Sequence, residues 1–257
     1  MKNFFYGLLL ACNVSAALAQ RYVIVGGGFS MMHFASSDLA LFEQTYNRAN
    51  FNFGQTVLLR GFDLGIGLSG EISYRHMGKW SKALSLGYQM HSATDIAAFA
   101  NGAERNLKLT ATHFYVQPSW GFIKKNLFLD GMLTLFAQRE FELQSRLIES
   151  DQPNPLTGDY SGQTGFAADL GVAFGAFSGP ILLTFKVSYP IYNSGGTNII
   201  TDPSPAKAAQ QLNAFPDDFI KYVNLQPYKG VSSKIDGFKV AITLNFALRL
   251  SSLAEER

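Results

Sequence analysis

The chain contains a single cysteine, Cys12, among 257 residues, so no disulfide can form within it. Charge is also scarce. Charged residues make up 16% of the chain, where soluble domains usually carry about a quarter. The formal net charge is only +2, which argues against a nucleic-acid partner. Long apolar runs are missing as well. Beyond the first 19 residues no stretch approaches the ~20 apolar residues that a spanning helix needs. Against these shortages stand 47% hydrophobic residues, with 22 Phe and 11 Tyr. A chain this apolar, without a spanning helix, has one remaining membrane solution. Every backbone polar group must be satisfied inside the structure, and a sheet closed on itself achieves that.

Residues 1–19 read as an export signal. Lys2 supplies the basic start, residues 4–11 the apolar run, and Ala17-Leu18-Ala19 a small-x-small cleavage site before Gln20. The expected mature domain is residues 20–257. Leu9-Leu10-Ala11-Cys12 also resembles a lipoprotein box, whose cysteine would be acylated. Cleavage after Ala19 would instead discard Cys12 with the signal.

The clearest pattern lies in residues 164–192. Phe166, Ala168, Leu170, Val172 and Phe174 alternate with Ala167, Asp169, Gly171, Ala173 and Gly175. After a break at Phe177-Ser178-Gly179-Pro180, the run Ile181, Leu183, Phe185, Val187, Tyr189 and Ile191 alternates with Thr184, Lys186 and Ser188. Alternate residues of a strand point to opposite faces. One face of this hairpin is therefore apolar throughout, and the other is small or polar and carries two charges. That is the pattern of a strand with lipid outside and a polar lumen inside. A turn centred on Phe177-Ser178 would set Phe174 opposite Ile181, Leu170 opposite Phe185 and Asp169 opposite Lys186.

The same alternation marks other strands. In residues 62–76, Leu64, Ile66, Leu68, Ile72 and Tyr74 oppose Asp63, Ser69, Glu71, Ser73 and Arg75. In residues 237–250, Phe238, Ile242, Leu244 and Phe246 oppose Lys239, Thr243, Asn245 and Arg249. Residues 107–122 change phase, with Leu107 and Leu109 on one parity and Phe114, Val116 and Trp120 on the other. A β-bulge near Thr112-His113 would reconcile them. Residues 127–143 place Leu127, Leu129, Phe141, Leu143 and Arg139 outward, with Asp130, Thr134, Gln138, Glu140 and Glu142 inward. Val23-Ile24-Val25-Gly26-Gly27-Gly28 looks like the opening of a dinucleotide-binding unit, with Glu43 as its ribose acid. Yet Met31 holds the third glycine position, and no βαβ rhythm follows. Gly26, Gly28 and Ser30 instead fit small lumen positions of a first strand. Tight turns and long connections then alternate, with a short helix expected in residues 39–47 and more helix in residues 206–213 and 217–223. Short periplasmic turns, long external loops and an even strand count are outer-membrane features. The expected fold is all-β: an antiparallel up-and-down transmembrane barrel of eight strands with both ends in the periplasm.

On this alternation, loop asymmetry and signal, the chain resembles the small eight-stranded outer-membrane β-barrel superfamily. That group includes the transmembrane domain of outer-membrane protein A and the small X- and W-type proteins. The resemblance spans the mature chain and implies residence in the outer membrane, with its lipids as the surroundings. Such barrels commonly end on an aromatic residue; here Leu250 closes the last strand and Phe246 is the nearest aromatic.

An eight-stranded interior is just wide enough for side chains to fill. The expected lumen set is Asp63, Glu71, Arg75, Lys108, Asp130, Asp169, Lys186, Lys239 and Arg249, with Asn245 beside them. Mixed signs suit a self-neutralising core, since buried charges need partners; a narrow polar pathway is the functional alternative. His33, His76, His91 and His113 are scattered, with no metal-ligand spacing on a shared face, so no metal or cofactor is expected. Lipid A deacylases and palmitoyltransferases build enzymes on this barrel with a His and a Ser near the outer rim. His91-Ser92, or His33 with Ser36, stands at the corresponding level, with Glu140 or Glu142 available to orient a His. Adjacent strand residues face opposite ways, however, and no spacing matches those families. Function falls more naturally to the external loops. Phe215, Phe219, Tyr222 and Tyr228 occupy the longest connection and could dock another outer-membrane protein. The reading is a non-enzymatic structural or partner-binding envelope protein. The alternative is a narrow channel for small or apolar solutes, with a lipid A-modifying enzyme third.

Overall fold

The computed structural model describes residues 20–51, 54–148, 157–194 and 235–250. The export signal, Cys12, the aromatic residues 215, 219, 222 and 228, and the two helices expected between 206 and 223 lie outside them. Ten strands and one helix follow in order. They are β1 (Gln20–His33), α1 (Ser37–Asn50), β2 (Gln55–Val57), β3 (Leu64–Met77), β4 (Trp80–Phe99) and β5 (Glu104–Lys124). After them come β6 (Leu127–Ile148), β7 (Gly158–Thr164), β8 (Ala167–Ser178), β9 (Ile181–Asn193) and β10 (Lys239–Leu250).

Eight of the strands close into a ring. Antiparallel ladders run from β1 to β3, β4, β5, β6, β8, β9 and β10, and β10 pairs back onto β1 with Val25 opposite Phe246. The eight-stranded up-and-down barrel expected from the alternation is therefore present. The two further strands lie outside the ring, β2 on the free side of β4 and β7 on the upper part of β6. No helix among the described residues is long and apolar enough to cross a membrane.

Turns at one end contain only two residues: Gly78-Lys79, Lys125-Asn126 and Gly179-Pro180. The last of these corrects the expected hairpin register. The turn sits on Gly179, at φ +61, and Pro180, two residues beyond the centre inferred from sequence. A positive φ at the first central position matches the strand twist and suits glycine. Phe174 consequently faces Phe185, Leu170 faces Tyr189, and Asp169 faces Pro190 rather than Lys186. The slip is an even number of residues, so the side chains from Asp169 to Pro190 keep their faces. A close approach explains the glycines of β1. A methyl group on Gly28 would lie 1.9 Å from the carbonyl oxygen of Ile242 on β10.

At the other end β4, β5 and β6 continue past the ring as a raised sheet flanked by β2 and β7. β4 and β5 are joined by residues 100–103 alone. No bulge exists at Thr112-His113; β5 keeps one parity throughout. The irregularity is on β6, where Ala137 is the extra residue between the Phe114–Gln138 and Tyr115–Phe136 pairs. It reverses the facing of everything beyond. Arg139, Phe141 and Leu143 turn inward and are buried, while Glu140 and Glu142 turn outward, opposite to the simple alternation.

Helix α1 covers the inner side of this sheet. Ser36 caps it, its hydroxyl accepting from the Leu39 amide at 3.4 Å. Leu39, Phe42 and Tyr46 pack against Leu107, Leu109, Phe141, Leu143 and Tyr160. The cap is thus built like a soluble domain, with apolar residues inside and Lys108, Glu140 and Glu142 in solvent. Two body plans share the same strands.

Candidate functional site

Below the cap the wall is inverted. Ile66, Leu86, Leu129, Leu183 and Leu244 point outward and are exposed, with Phe29 at 71% and Trp120 at 62%. Ser69, Ser85, Gln117, Asp130, Lys186 and Asn245 point inward and are buried. On β5 the apolar outward series covers residues 114–122, which at ~3.3 Å per residue and a tilt of ~40° spans about 20 Å, close to the ~25 Å hydrocarbon band of an outer membrane. Trp80 packs against Phe122 at 4.8 Å and Trp120 at 5.8 Å at the turn end of this band, where an aromatic girdle belongs. A closed ring with charges within and an apolar belt without has only lipid to face. The chain is a transmembrane β-barrel of the outer-membrane type.

The barrel's interior is crossed by ion pairs at successive heights. Nearest the turns, Arg75 Nη1 donates to Asp130 Oδ2 at 2.6 Å, and the Ser81 and Ser119 hydroxyls donate to the same oxygen at 3.2 and 3.3 Å. The Arg75 guanidinium also lies 3.7 Å from the centre of the Phe128 ring. Higher up, Lys186 Nζ donates to the Glu71 carboxylate and, at 2.9 Å, to Gln117 Oε1. Gln117 in turn donates to Thr134 at 2.7 Å. Above this, Lys239 Nζ donates to Asp169 Oδ2 at 2.6 Å. At the base of the cap, Arg139 reaches the Ile235 carbonyl at 2.7 Å and Asp236 at 3.4 Å. Asn193 also donates to Asp236, at 2.9 Å.

Of the residues that the sequence pointed to, Glu71, Arg75, Asp130, Asp169, Lys186, Lys239 and Asn245 lie in this interior, and Asn245 donates to Thr243 at 2.9 Å. The partners are not those the hairpin register suggested: Asp169 meets Lys239, and Lys186 meets Glu71. Three members of the expected set are elsewhere. Asp63 precedes β3 and is exposed, Lys108 is on the outer face of the cap, and Arg249 is exposed near the end of β10. Arg139, assigned outward by alternation, is the cation that alternation missed. His91 and His113 are brought together as diagonal neighbours on β4 and β5, with ring centres 5.8 Å apart. Sequence spacing could not reveal this, because it depends on strand register. Glu140 and Glu142 lie on the opposite side of the wall from these histidines, and Ser36 is engaged as the helix cap.

The cap has its own electrostatics. Asp95 Oδ2 accepts from the Arg60 and Gly61 amides at 2.9 and 2.8 Å. Glu43 sits beside it. Burial, then the Asp95 and Asp63 carboxylates, push the Glu43 carboxyl up to about 7, against a hydrogen bond from the Phe62 backbone. Burial also raises the Tyr46 hydroxyl above its ordinary value, with Arg105 opposing.

No family model and no curated protein matches this chain. Among solved structures it is similar to Ail, the attachment invasion locus protein of Yersinia pestis, in complex with the heparin analogue sucrose octasulfate. Identity is 9% and the TM-score 0.37, over 90% of this chain and 100% of that one. Neisserial surface protein A compares at 9% identity and a TM-score of 0.36, over 90% of this chain and 99% of the other. At these values no residue role carries over, and the fold stands on this chain's own strand pairing and belt.

Proposed function

We propose that the protein is a non-enzymatic, partner-binding component of the outer membrane that works through its raised sheet rather than through its lumen. The observation that carries this is β7. It pairs with β6 from Arg139–Thr164 to Ser145–Gly158, and among the described residues its other edge has no strand beside it. An open edge offers a row of backbone donors and acceptors to an extended segment of another protein. The outer face of the same sheet is polar, and a cavity of about 390 Å³ there is lined by Thr110, Thr112, Glu140, Glu142, Ser161 and Gly162. Phe215, Phe219, Tyr222 and Tyr228, in the connection after β9, are proposed as further partner-binding residues. The lumen supports a scaffold over a channel. Its ion pairs bridge strands across the barrel, and Phe128, Met132, Phe136 and Leu182 fill the space between them.

The test is site-specific photocrosslinking in the intact envelope. A photoreactive residue at Ser161, on β7, should give a discrete protein adduct that disappears when Gln163 and Gly162 are changed to proline. The same residue at Leu244, in the belt, should label lipid. A barrel that conducts steadily in planar bilayers and yields no Ser161 adduct would overturn the reading.

A further inference from the structure

We propose that His91, His113 and Met32 form a binding site for a soft monovalent metal ion, copper(I) by its ligand chemistry. The three side chains come from β4, β5 and β1 and meet in the interior just below the cap. Each has no exposure to solvent. Met32 Sδ lies 3.4 Å from His113 Nε2, and the two imidazole rings stand 5.8 Å centre to centre. Both ring nitrogens of His91 have no hydrogen-bond partner within the protein. A buried polar group left unpaired costs about 1–3 kcal/mol, so a second occupant that satisfies these nitrogens would be bound favourably.

Geometry and chemistry agree on the kind of occupant. A metal held ~2.0 Å from an imidazole nitrogen and ~2.3 Å from a sulfur requires those donors to be roughly 3.5–3.7 Å apart for tetrahedral to trigonal angles. The Met32–His113 separation of 3.4 Å lies just under that range. A thioether with two imidazoles selects a soft ion over magnesium, calcium or manganese. Among the described residues no group of three or more His, Cys, Asp or Glu side chains converges as a metal site. Charge also limits the choice. Arg139 and Lys239 act electrostatically on both histidines. Each is matched by a carboxylate, Asp236 and Asp169, and Asp169 Oδ1 has no partner of its own. A single positive charge adds far less repulsion there than a divalent ion. Phe136 and Phe141 make T-shaped contacts with His113, with ring centres 5.6 and 5.7 Å away.

The experiment refolds the mature chain from denaturant into detergent with copper(I) under reductant, so that entry into a closed site is not limiting. Folding is checked by migration without boiling. The folded wild type should retain about one copper per chain after desalting, and X-ray absorption should show nitrogen near ~2.0 Å with one sulfur near ~2.3 Å. Met32→Leu, which nearly conserves volume, should fold normally, lose the sulfur shell and bind at least about tenfold more weakly. His91→Gln should fold normally and weaken binding while keeping the sulfur shell, whereas His33→Gln and His76→Gln should leave binding unchanged. Zinc(II) should not be retained. A folded wild type that holds no copper, or one whose copper lacks a sulfur shell, would show that these nitrogens are met by water and refute the site.

Discussion

Asp130 offers a direct measure of how far the interior depends on ionic pairing. Asp130→Asn keeps the shape and leaves the Arg75 cation buried without a counter-charge. Breaking one side of a buried pair usually costs about 3–5 kcal/mol. Here part of the cation's environment survives, because the Phe128 ring face at 3.7 Å and the Ser81 hydroxyl remain, and a desolvated cation–π contact is worth about 2 kcal/mol. The expected loss is therefore near the lower end, about 3 kcal/mol, or roughly a hundredfold in the unfolding equilibrium. Replacing both partners, with Arg75→Met and Asp130→Asn, should recover most of that loss, since an apolar substitute leaves no stranded charge. The assay is reversible urea unfolding in lipid vesicles, followed by tryptophan fluorescence from Trp80 and Trp120 and by migration without boiling. If the single variant loses less than about 1 kcal/mol, or the double variant is weaker than the single, the interior is not held by paired charge.

A methyl group on Gly87 would lie 2.2 Å from the Tyr115 ring, so Gly87→Ala should cost about 1–3 kcal/mol by overpacking, read from the same unfolding curves. Charge on the outer wall should be felt only within the belt. Leu86→Lys should cost about 2–4 kcal/mol, and Thr110→Lys, on the cap, about 0.5 kcal/mol or less. The raised Glu43 carboxyl gives the cap a definite pH dependence. Its folded value of about 7 lies above the ordinary 4.5, so the folded cap binds more protons than the unfolded one between those values. Cap stability should therefore fall as pH rises through that window. Proteolysis at Arg48 should accelerate from pH 5 to pH 8 relative to Glu43→Gln, and equal ratios at both pH values would contradict the assignment.

The barrel was legible because a wall between lipid and a polar interior forces every second residue into one of two classes. Pairing was less legible. The registers of β8 on β9 differ by an even step, so both satisfy the alternation, and only the Gly179-Pro180 turn separates them. Arg139 was misplaced because Leu135, Phe136 and Ala137 are all apolar, so the bulge among them leaves no trace in the pattern. The phase change of β5 was visible, but its cause was misread. Leu107 and Leu109 share a face with His113 and Tyr115 without any kink, because the solvent outside the wall changes from lipid to water. The histidine pair and the Lys186–Glu71 contact depend on which strands adjoin and how they are staggered, and that information is spread over the whole ring.

The change of wall chemistry between Thr112 and Phe114 also sets the barrel's depth. Sinking the barrel by two residues of β5, about 5 Å along the membrane normal, would carry Thr112 and Glu140 into hydrocarbon. Raising it by as much would lift Phe114 into water. A barrel with apolar walls along its full length could slide vertically to suit its surroundings. This one is pinned, so in a bilayer of different thickness the lipids around it must thin or stretch to meet the wall.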